Sequence, residues 1–245
     1  MLLSVLRLKK RQPAAVIKSP INMHTKKLIL TSGSPRRNEL LGLLGVPFTK
    51  RPAEIDERKR ESESPREYVE RMASEKGSTH VIGKDEIVLS ADTIVELDGL
   101  VIGKPADEHD AWRILKLLRG ETHHVFTALS LHLDEGNSVL SDISQTLVTM
   151  REYSDNEIED YISRGEYADK AGGYAIQDPL FHPVREIRGC YSNVMGLPLC
   201  HLYRLFKQAG ISMDVEIADV CQRYNDITCE VYPSIVNENN YESNI

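Results

Sequence analysis

Residues 28–45 read LILTSGSPRRNELLGLLG and contain the pattern that decides the fold. The apolar run at the start has the length of a buried strand, and Leu40, Leu41 and Leu44 fall on one face of a following helix. The helix begins just after small polar residues, so its unpaired backbone N–H groups lie at the end of the strand. A strand that leads directly into a helix is typical of α/β folds.

Arg36 and Arg37 lie at this strand-to-helix junction. Free N–H groups and the positive end of the helix dipole attract anions there, and two guanidinium groups add to that attraction. The junction therefore predicts a bound anion, and phosphate is the obvious candidate. In the alternative interpretation Ser34 caps the helix, Pro35 fills its first turn, and both arginines are solvated. These residues alone leave both interpretations open.

The composition describes a globular protein that can build a sizeable core. The chain has 245 residues, of which 41% are hydrophobic. No run approaches the roughly 18 apolar residues that span a bilayer, and the first apolar stretch is too short for a secretory signal. We therefore expect a cytoplasmic protein that does not bind membranes. Its four cysteines show no C-x-x-C spacing, which predicts reduced thiols rather than a zinc site or a disulfide framework.

Charge divides the chain into three parts. Residues 1–27 carry seven Lys or Arg and no acid, whereas residues 212–245 carry seven acids and one Arg. With a net charge of −7, residues 28–211 therefore carry −8, which argues against nucleic-acid binding. We interpret residues 1–27 as a basic flexible extension, with a targeting leader as the alternative, and residues 212–245 as an acidic, disordered tail.

Helices alternate with strands and hairpins through residues 28–211. The pattern predicts a capped helix beginning near Ser64-Pro65, a hairpin turn at Asp98-Gly99, and amphipathic helices over residues 107–120 and 197–210. His123 and His124 begin a strand and are expected at an edge or on the surface. This order predicts an α/β fold with a mixed twisted sheet, flanking helices, and two lobes around a deep cleft.

Asp92 is the most informative acid because it interrupts the apolar strand pattern VLSADTIVEL. A buried carboxylate is costly unless a metal ion, Lys or Arg compensates its charge. The alternative is an exposed carboxylate in a turn at the strand end. Taken singly, Glu57, Lys76 and Lys104 are more typical of solvated surface charges.

Five blocks of sequence, taken in order, resemble the Maf family of nucleoside-triphosphate pyrophosphatases over about residues 28–211. The blocks are SGSPRR followed by ELL, then ADT, GKP, DKAGGYAIQ and NVMGLP. The resemblance implies a fold similar to that of the inosine-triphosphate pyrophosphatases, with a nucleotide in a deep cleft, a divalent cation (Mg²⁺ or Mn²⁺) and a homodimer. It also implies hydrolysis of a nucleoside triphosphate to the monophosphate and pyrophosphate, as in nucleotide-pool sanitation.

The resemblance also assigns residues by motif. It implies that Asp92 and Glu57 bind the metal and that one of them is the general base, with Asp92 our choice. The full set comprises substrate-binding Ser32, Arg36, Arg37 and Gln177, and catalytic Glu57, Lys76, Asp92 and Lys104.

Gln177 decides the predicted substrate, because the pyrimidine-selective branch of the family also has glutamine in this block. We therefore predict dTTP and UTP, with 7-methyl-GTP or another modified nucleotide as the alternative. This chain reads GYAIQDP where many relatives read GYGIQG, so Ala175 replaces a glycine and Asp178-Pro179 follow the glutamine. A catalytically inactive nucleotide-binding module is the alternative from another functional class.

Overall fold

A seven-stranded mixed sheet forms the centre of the fold in the computed structural model, which describes residues 26–236. The strands are β1 (Lys27–Leu30), β2 (Phe48–Lys50), β3 (Glu86–Leu97), β4 (Leu100–Ile102), β5 (Thr122–Leu133), β6 (Ser138–Met150) and β7 (Val184–Arg188). Their order is β2-β1-β3-β5-β6-β7, and β4 pairs with β3 outside this path. β1 runs parallel to β2 and β3, whereas the β3–β4, β3–β5, β5–β6 and β6–β7 pairs are antiparallel. The predicted mixed sheet is confirmed.

Helices flank this sheet, as predicted. Within residues 26–236 they are α1 (Pro35–Gly42), α2 (Pro65–Ser78), α3 (Glu108–Leu118), α4 (Asp155–Ser163), α5 (Tyr191–Val194), α6 (Leu199–Gln208), α7 (Ile217–Asn225) and α8 (Tyr232–Val236). α2 begins at the predicted place with a capping box, in which Ser64 Oγ accepts the N–H of Glu67 and the Glu67 carboxylate accepts the N–H of Ser64. Among the helices of this described range, none is long and apolar enough to cross a membrane.

The hairpin predicted at Asp98-Gly99 joins β3 to β4. Leu97 pairs with Leu100, and the two turn residues have φ values of 50° and 82°. Two successive residues in the left-handed region form the turn whose twist matches that of the flanking strands, and glycine adopts this conformation at little steric cost.

Two large apolar clusters lie along β3 and correspond to the two predicted lobes. One packs α1 and α6 against residues 87–91, and the other packs α3 and α4 against residues 95–97. Asp92 and Thr93 lie between the two clusters. Because side chains alternate along a strand, Asp92 shares the α2 face with Ser90 and Ile94, whereas Thr93 points to the opposite face.

Strand pairing is interrupted on one side of β3. β1 pairs with β3 as far as Leu89, and β4 pairs with it from Val95 onward. On the other side β5 pairs with β3 throughout this stretch, with Thr127 opposite Thr93. The break leaves residues 90–94 without a strand partner on this side of β3, and Asp92 and Thr93 lie in it.

The C-terminal segment differs from the sequence prediction. A disordered tail from residue 212 is wrong for residues 217–225 and 232–236, which form α7 and α8. Ile217, Cys221 and Ile235 are buried in the cluster that contains α1 and α6. The acidic composition concealed an apolar stripe with a helical spacing of four residues, from Ile217 to Cys221. The basic extension through residue 25 and the end of the tail from residue 237 lie outside the described residues.

The expectation for His123 is also wrong. Its side chain is 1% exposed, because β5 lies between β3 and β6 rather than at an edge. His123 Nε2 is 2.8 Å from the hydroxyl of Tyr174, to which it is hydrogen-bonded. Burial lowers the pKa of His123 to about 4.

All four cysteines are free thiols, as predicted. Cys190, Cys200 and Cys221 are buried, and burial raises the pKa of the Cys190 thiol to about 11. Thiols with raised pKa values are poor nucleophiles at neutral pH.

Candidate active site

A cleft of about 650 Å³ opens at the break in pairing along β3. Cavities of this size suit small-molecule and cofactor ligands. The sheet topology brings together side chains that are distant in sequence. The wall of the cleft includes all eight predicted residues: Ser32, Arg36, Arg37, Glu57, Lys76, Asp92, Lys104 and Gln177.

The junction between β1 and α1 forms one side of the cleft. Ser34 precedes α1 in an extended conformation, yet its side chain makes no capping hydrogen bond; its N–H donates to Ser32 Oγ at 3.2 Å. α1 has proline in its first turn and no acidic residue there. This turn therefore offers N–H groups and two guanidinium groups to an anion, with no carboxylate from its own first turn.

Arg37 is held by three neutral oxygen acceptors. Its Nε donates to the Gly196 carbonyl at 2.8 Å, Nη1 to Ser32 Oγ at 3.2 Å, and Nη2 to Thr93 Oγ1 at 2.8 Å. Burial lowers the pKa of Arg37, and the charge of Asp92 acts in the opposite direction. The solvated-arginine interpretation therefore does not hold for Arg37, which is fixed inside the cleft.

Arg36 is held by an acidic partner instead. Its Nη1 donates to both carboxylate oxygens of Asp169 at 3.1 Å, and Nη2 donates to the Asp169 carbonyl at 3.2 Å. Asp169 also accepts from Lys170 Nζ at 2.7 Å, and Lys170 is only 6% exposed. The charge of Arg36 is therefore shared with a carboxylate before any ligand arrives.

Lys76 lies between the two predicted metal ligands on the other side of the cleft. Its Nζ is 2.6 Å from Asp92 Oδ1 and 2.7 Å from Glu57 Oε1. The side chains of Lys76 and Asp92 are each 12% exposed, whereas that of Glu57 is 61% exposed. Asp92 thus has the cationic partner that its position in an apolar strand requires.

The loop that carries Glu57 is fixed by α2. The hydroxyl of Tyr68 donates to the carbonyl of Glu57 at 2.7 Å. Partial burial acts to raise the pKa of Glu57, but the hydrogen bond and charge of Lys76 outweigh it, so the net pKa is lowered. Glu57 therefore carries its negative charge at neutral pH.

Lys104 and Gln177 line the cleft with exposed side chains. Their two segments meet, since the N–H of Gly172 donates to the carbonyl of Gly103 at 2.9 Å. Gly172 has φ of +72°, and a Cβ there would lie 2.8 Å from Val95 Cγ2. The positive φ and the overlap with the Val95 side chain therefore favour glycine at this position.

A family model extends over most of the chain that forms this site. The model, described as Maf-like protein, matches residues 27–209. The chain belongs to the Maf family. A dTTP/UTP pyrophosphatase of Thermomicrobium roseum is 44% identical over 202 residues, which cover 80% of this chain and 92% of that protein. A dTTP/UTP pyrophosphatase of Syntrophus aciditrophicus is 43% identical over 189 residues, which cover 77% and 92%.

A more distant likeness exists among solved structures. A HAM1 protein from Coxiella burnetii aligns with 51% of this chain and 73% of its own length, at a TM-score of 0.37 and 15% identity. The α/β character of this fold rests on its own sheet and helices.

The departure from the common Maf pattern after Gln177 has a structural explanation. Asp178 is 6% exposed and accepts two hydrogen bonds from Arg164, at 2.8 and 3.0 Å. It also accepts the N–H groups of Leu180 and Phe181 at 3.1 and 2.7 Å. Asp178 therefore stabilises the turn that follows Gln177 rather than lining the cleft.

The donor set fits a magnesium-type cation only if the substrate supplies further ligands. Within residues 26–236 no group of three or more His, Cys, Asp or Glu side chains could hold a metal on its own. Asp92 and Glu57 each use one carboxylate oxygen for Lys76, which leaves the other oxygen of each open among the described residues. Mg²⁺ is commonly held by one or two carboxylates together with substrate phosphates, so this pair fits such an ion.

Several residues of the site were missed in the sequence. Thr93 and Asp169 stood at the boundaries of recognised motifs, but nothing in the sequence showed that they contact the two arginines. Lys170 resembles any surface lysine, although it is buried. Thr127 fits an ordinary strand residue, and its position opposite Thr93 depends on strand register. The sequence ADT gave one indication of Thr93, because it places an acid and a hydroxyl on opposite faces of one strand.

Proposed function

We propose that this protein hydrolyses nucleoside triphosphates, dTTP and UTP foremost, to the monophosphate and pyrophosphate. The observation that carries the proposal is one cleft with two dissimilar sides, arginines on one and Lys76-bound carboxylates on the other. The names of the two relatives point the same way. A ligand that combines phosphates with a cation matches both sides.

The arginine side is the part of the cleft that we assign to the substrate phosphates. Arg37 uses three of its five N–H groups within the protein, which leaves two donors for phosphoryl oxygens. Arg36 and Lys170 add positive charge beside it. Fixed donors of this kind stabilise the charge that develops on phosphoryl oxygens in the transition state.

Water attack at the α-phosphorus requires a base, and we assign this role to Asp92. The oxygen of water forms the new bond to phosphorus, the bond between the α-phosphorus and the bridging oxygen breaks, and pyrophosphate leaves. Lys76 holds Asp92 Oδ1 at 2.6 Å, and we assign the proton of the attacking water to the Asp92 carboxylate. Lys76 thereby orients the carboxylate and keeps its rotamer fixed.

Asp92 and Glu57 are the residues that would hold a divalent cation. The chemistry that Mg²⁺ or Mn²⁺ supplies in such a site is neutralisation of phosphoryl charge and alignment of the attacking water. The charge of Lys104 helps to lower the pKa of Glu57, so Lys104 lies on the side of the cleft that carries the two carboxylates. We assign Lys104 to neutralising phosphate charge that the arginines do not reach.

Base selection is assigned to Gln177. Its exposed amide offers a donor and an acceptor, which match the N3–H and O4 edge of uracil and thymine. 7-Methyl-GTP stays the second candidate. The homodimer implied by the family resemblance also stays a prediction, which light scattering would test.

One experiment tests the reaction and the substrate together. Purified protein with Mg²⁺ or Mn²⁺ is incubated with UTP, dTTP, CTP, GTP and 7-methyl-GTP, and the products are identified by ion-exchange chromatography. We expect monophosphate and pyrophosphate, with the highest kcat/KM for UTP and dTTP, and loss of that preference in Gln177→Ala. Release of orthophosphate contradicts the proposed reaction, and nucleotide binding without turnover identifies an inactive binding module. Highest activity on 7-methyl-GTP overturns only the pyrimidine assignment.

A further inference from the structure

We propose that Thr93 and Thr127 are positioning residues, which fix the guanidinium of Arg37 through a one-directional chain of hydrogen bonds. The inference rests on the proposed function, in which Arg37 binds the substrate phosphates. Neither threonine needs to touch the substrate for this role.

The chain of hydrogen bonds begins at the arginine and ends inside the protein. Arg37 Nη2 donates to Thr93 Oγ1 at 2.8 Å, and the Thr93 and Thr127 hydroxyl oxygens are 3.0 Å apart. Thr127 Oγ1 donates to the carbonyl of Asn193 at 3.1 Å. Thr127 is fully buried, so water does not compete for its hydroxyl.

The charge of Arg37 fixes the direction of every proton in this chain. A guanidinium only donates, so Thr93 must accept from Arg37 and direct its own proton elsewhere. Thr127 is the acceptor within reach, and a carbonyl can only accept, so Thr127 donates to Asn193. One arrangement therefore satisfies all the groups, and chains of this kind polarise one another in a buried site.

The far end of the chain is rigid. Asn193 is fully buried, and its Nδ2 donates to the Val125 carbonyl and to Thr146 Oγ1, both at 2.9 Å. Asn193 lies in α5, and the carbonyl of Gly196, just beyond α5, accepts Arg37 Nε. The same short segment thus anchors the guanidinium at two points.

Gly196 is restricted by its backbone conformation. Its φ is +98°, which L side chains rarely adopt, whereas a Cβ there would make only ordinary contacts, 3.4 Å from Thr93 Oγ1 and 3.5 Å from Arg37 Nε. The Gly196 carbonyl and the Thr93 hydroxyl hold the guanidinium through Nε and Nη2.

Neutral acceptors have a specific advantage at this position. A carboxylate would hold the guanidinium equally well but would cancel the charge that attracts phosphate, as Asp169 does in part for Arg36. Hydroxyl and carbonyl oxygens satisfy the donors of a buried arginine and leave its net charge intact. The threonines therefore set the orientation of Arg37 without reducing its charge.

The test compares hydroxyl removal with hydroxyl retention. Thr93→Val and Thr127→Val keep the branched shape and lose the hydroxyl, whereas Thr93→Ser and Thr127→Ser keep it. Because a hydrogen bond to a charged group is lost, we expect Thr93→Val to reduce kcat/KM for dTTP roughly 10- to 100-fold, through both KM and kcat. Thr127→Val, one bond further from Arg37, should lose less, and both serine variants should stay within about threefold of wild type.

A double-mutant cycle separates positioning from a general structural effect. In the Arg37→Ala background, Thr93→Val should cost nothing further, because the group that Thr93 positions is gone. An equal loss in both backgrounds, or unchanged kinetics in Thr93→Val and Thr127→Val, overturns the proposal. If Thr93→Val does not fold, Thr127→Val in the two backgrounds gives the same test.

Binding of a non-hydrolysable analogue distinguishes this inference from the proposed function. Calorimetric titration with α,β-methylene-dTTP measures the phosphate site even if wild-type protein turns over no nucleotide. Weaker binding in Thr93→Val than in Thr93→Ser then supports the positioning role although the proposed reaction has failed. Equal binding in the two variants, with normal turnover in both, refutes the positioning role and leaves the reaction intact.

Discussion

The two sides of the cleft hold their cations by different means. On the arginine side, formed by α1, Arg37 donates to a carbonyl and two hydroxyl groups. On the lysine side, formed by α2, Lys76 is bound between two carboxylates, Asp92 and Glu57. The arginine side therefore keeps a net positive charge, whereas the cluster of Lys76, Asp92 and Glu57 carries one more negative charge than positive.

This difference in the sign of the charge matches a ligand that carries negative phosphates at one end and a divalent cation at the other. Phosphates need the positive side, while a divalent cation or a water that loses a proton needs the negative side. A cleft of uniform charge would favour only one of the two. The contrast also indicates which substitutions should affect binding and which should affect chemistry.

Loss of the carboxylate on the lysine side should have the largest effect. Asp92→Asn keeps the shape of the side chain but removes the base and one of the two negative charges that hold Lys76. General-base catalysis contributes typically about 10²- to 10⁴-fold, so we expect kcat to fall within that range. Affinity for α,β-methylene-dTTP, measured by calorimetry without metal, should change little because the arginine side is intact.

Asp85→Asn is the control for this substitution, because Asp85 is exposed outside the cleft and should behave as wild type. Retention of more than a tenth of wild-type kcat by Asp92→Asn would exclude Asp92 as the base and favour Glu57.

Substitutions on the arginine side should come next in size. Arg37→Ala removes a fixed donor from a buried site, which typically costs about 2 to 4 kcal/mol of transition-state stabilisation. Arg36→Ala should cost less for its own charge, but it leaves Asp169 with Lys170 as its remaining cationic partner beside the phosphates. Asp169→Asn should therefore recover part of the loss in the Arg36→Ala background, as measured by kcat/KM.

The prediction for the two arginines depends on their different partners, which are neutral oxygens for Arg37 and the carboxylate of Asp169 for Arg36. If Asp169→Asn rescues nothing, Asp169 does not compete with phosphate for Arg36. If Arg36→Ala and Arg37→Ala are equally damaging and neither is rescued, the neutral and acidic environments of the two arginines have no functional consequence.

Much of this site could be predicted from local sequence, and the reasons are physical. Asp92 stood out because a carboxylate in an apolar strand needs a cation. Arg36 and Arg37 stood out because a helix N-terminus already attracts anions. The partner of Lys76 could not be predicted in the same way, since its contact with Asp92 depends on how α2 packs on β3. Thr127 became informative only once strand register placed it opposite Thr93.

The pH dependence of the free energy of unfolding should show a smaller effect. Partial burial acts to raise the pKa values of Glu57 and Asp169, yet both are lowered, by Lys76 in one case and by Lys170 and Arg36 in the other. These carboxylates therefore stay charged at pH 5. His123 differs, because burial lowers its pKa from 6.5 to about 4.

At pH values between about 4 and 6.5, the unfolded chain therefore binds a proton at His123 that the folded protein does not bind. Stability is complete above the unfolded pKa and falls as the pH drops toward the folded pKa, by about 2 kcal/mol between pH 7 and pH 5 for this group. Burial lowers the pKa of His132 too, which adds a loss of the same sign. Urea denaturation at both pH values should show a smaller loss in His123→Gln, which keeps a polar atom near Tyr174.

The exposed His109 provides the control, since His109→Gln should keep the wild-type dependence. An unchanged pH dependence in His123→Gln would mean that the buried imidazole is already protonated in the folded protein at pH 5.

The smallest effects should come from two glycines, one in the helix of each side. Gly77 follows Lys76 in α2, and a Cβ there would overlap the ring of His132 and lie 2.8 Å from Ser90 Oγ, whereas a Cβ at Gly42 in α1 meets nothing within 4 Å. Alanine favours a helix by up to about 1 kcal/mol over glycine, so Gly42→Ala should stabilise the protein by at most that amount. In Gly77→Ala the same gain is outweighed by overpacking, which costs about 1 to 3 kcal/mol. The net loss in urea denaturation should be accompanied by reduced kcat, because α2 must shift and carry Lys76 with it. A Gly77→Ala variant as stable and active as Gly42→Ala would show that α2 is not packed tightly on the sheet, and that the ion pairs of Lys76 rather than helix packing fix the lysine side.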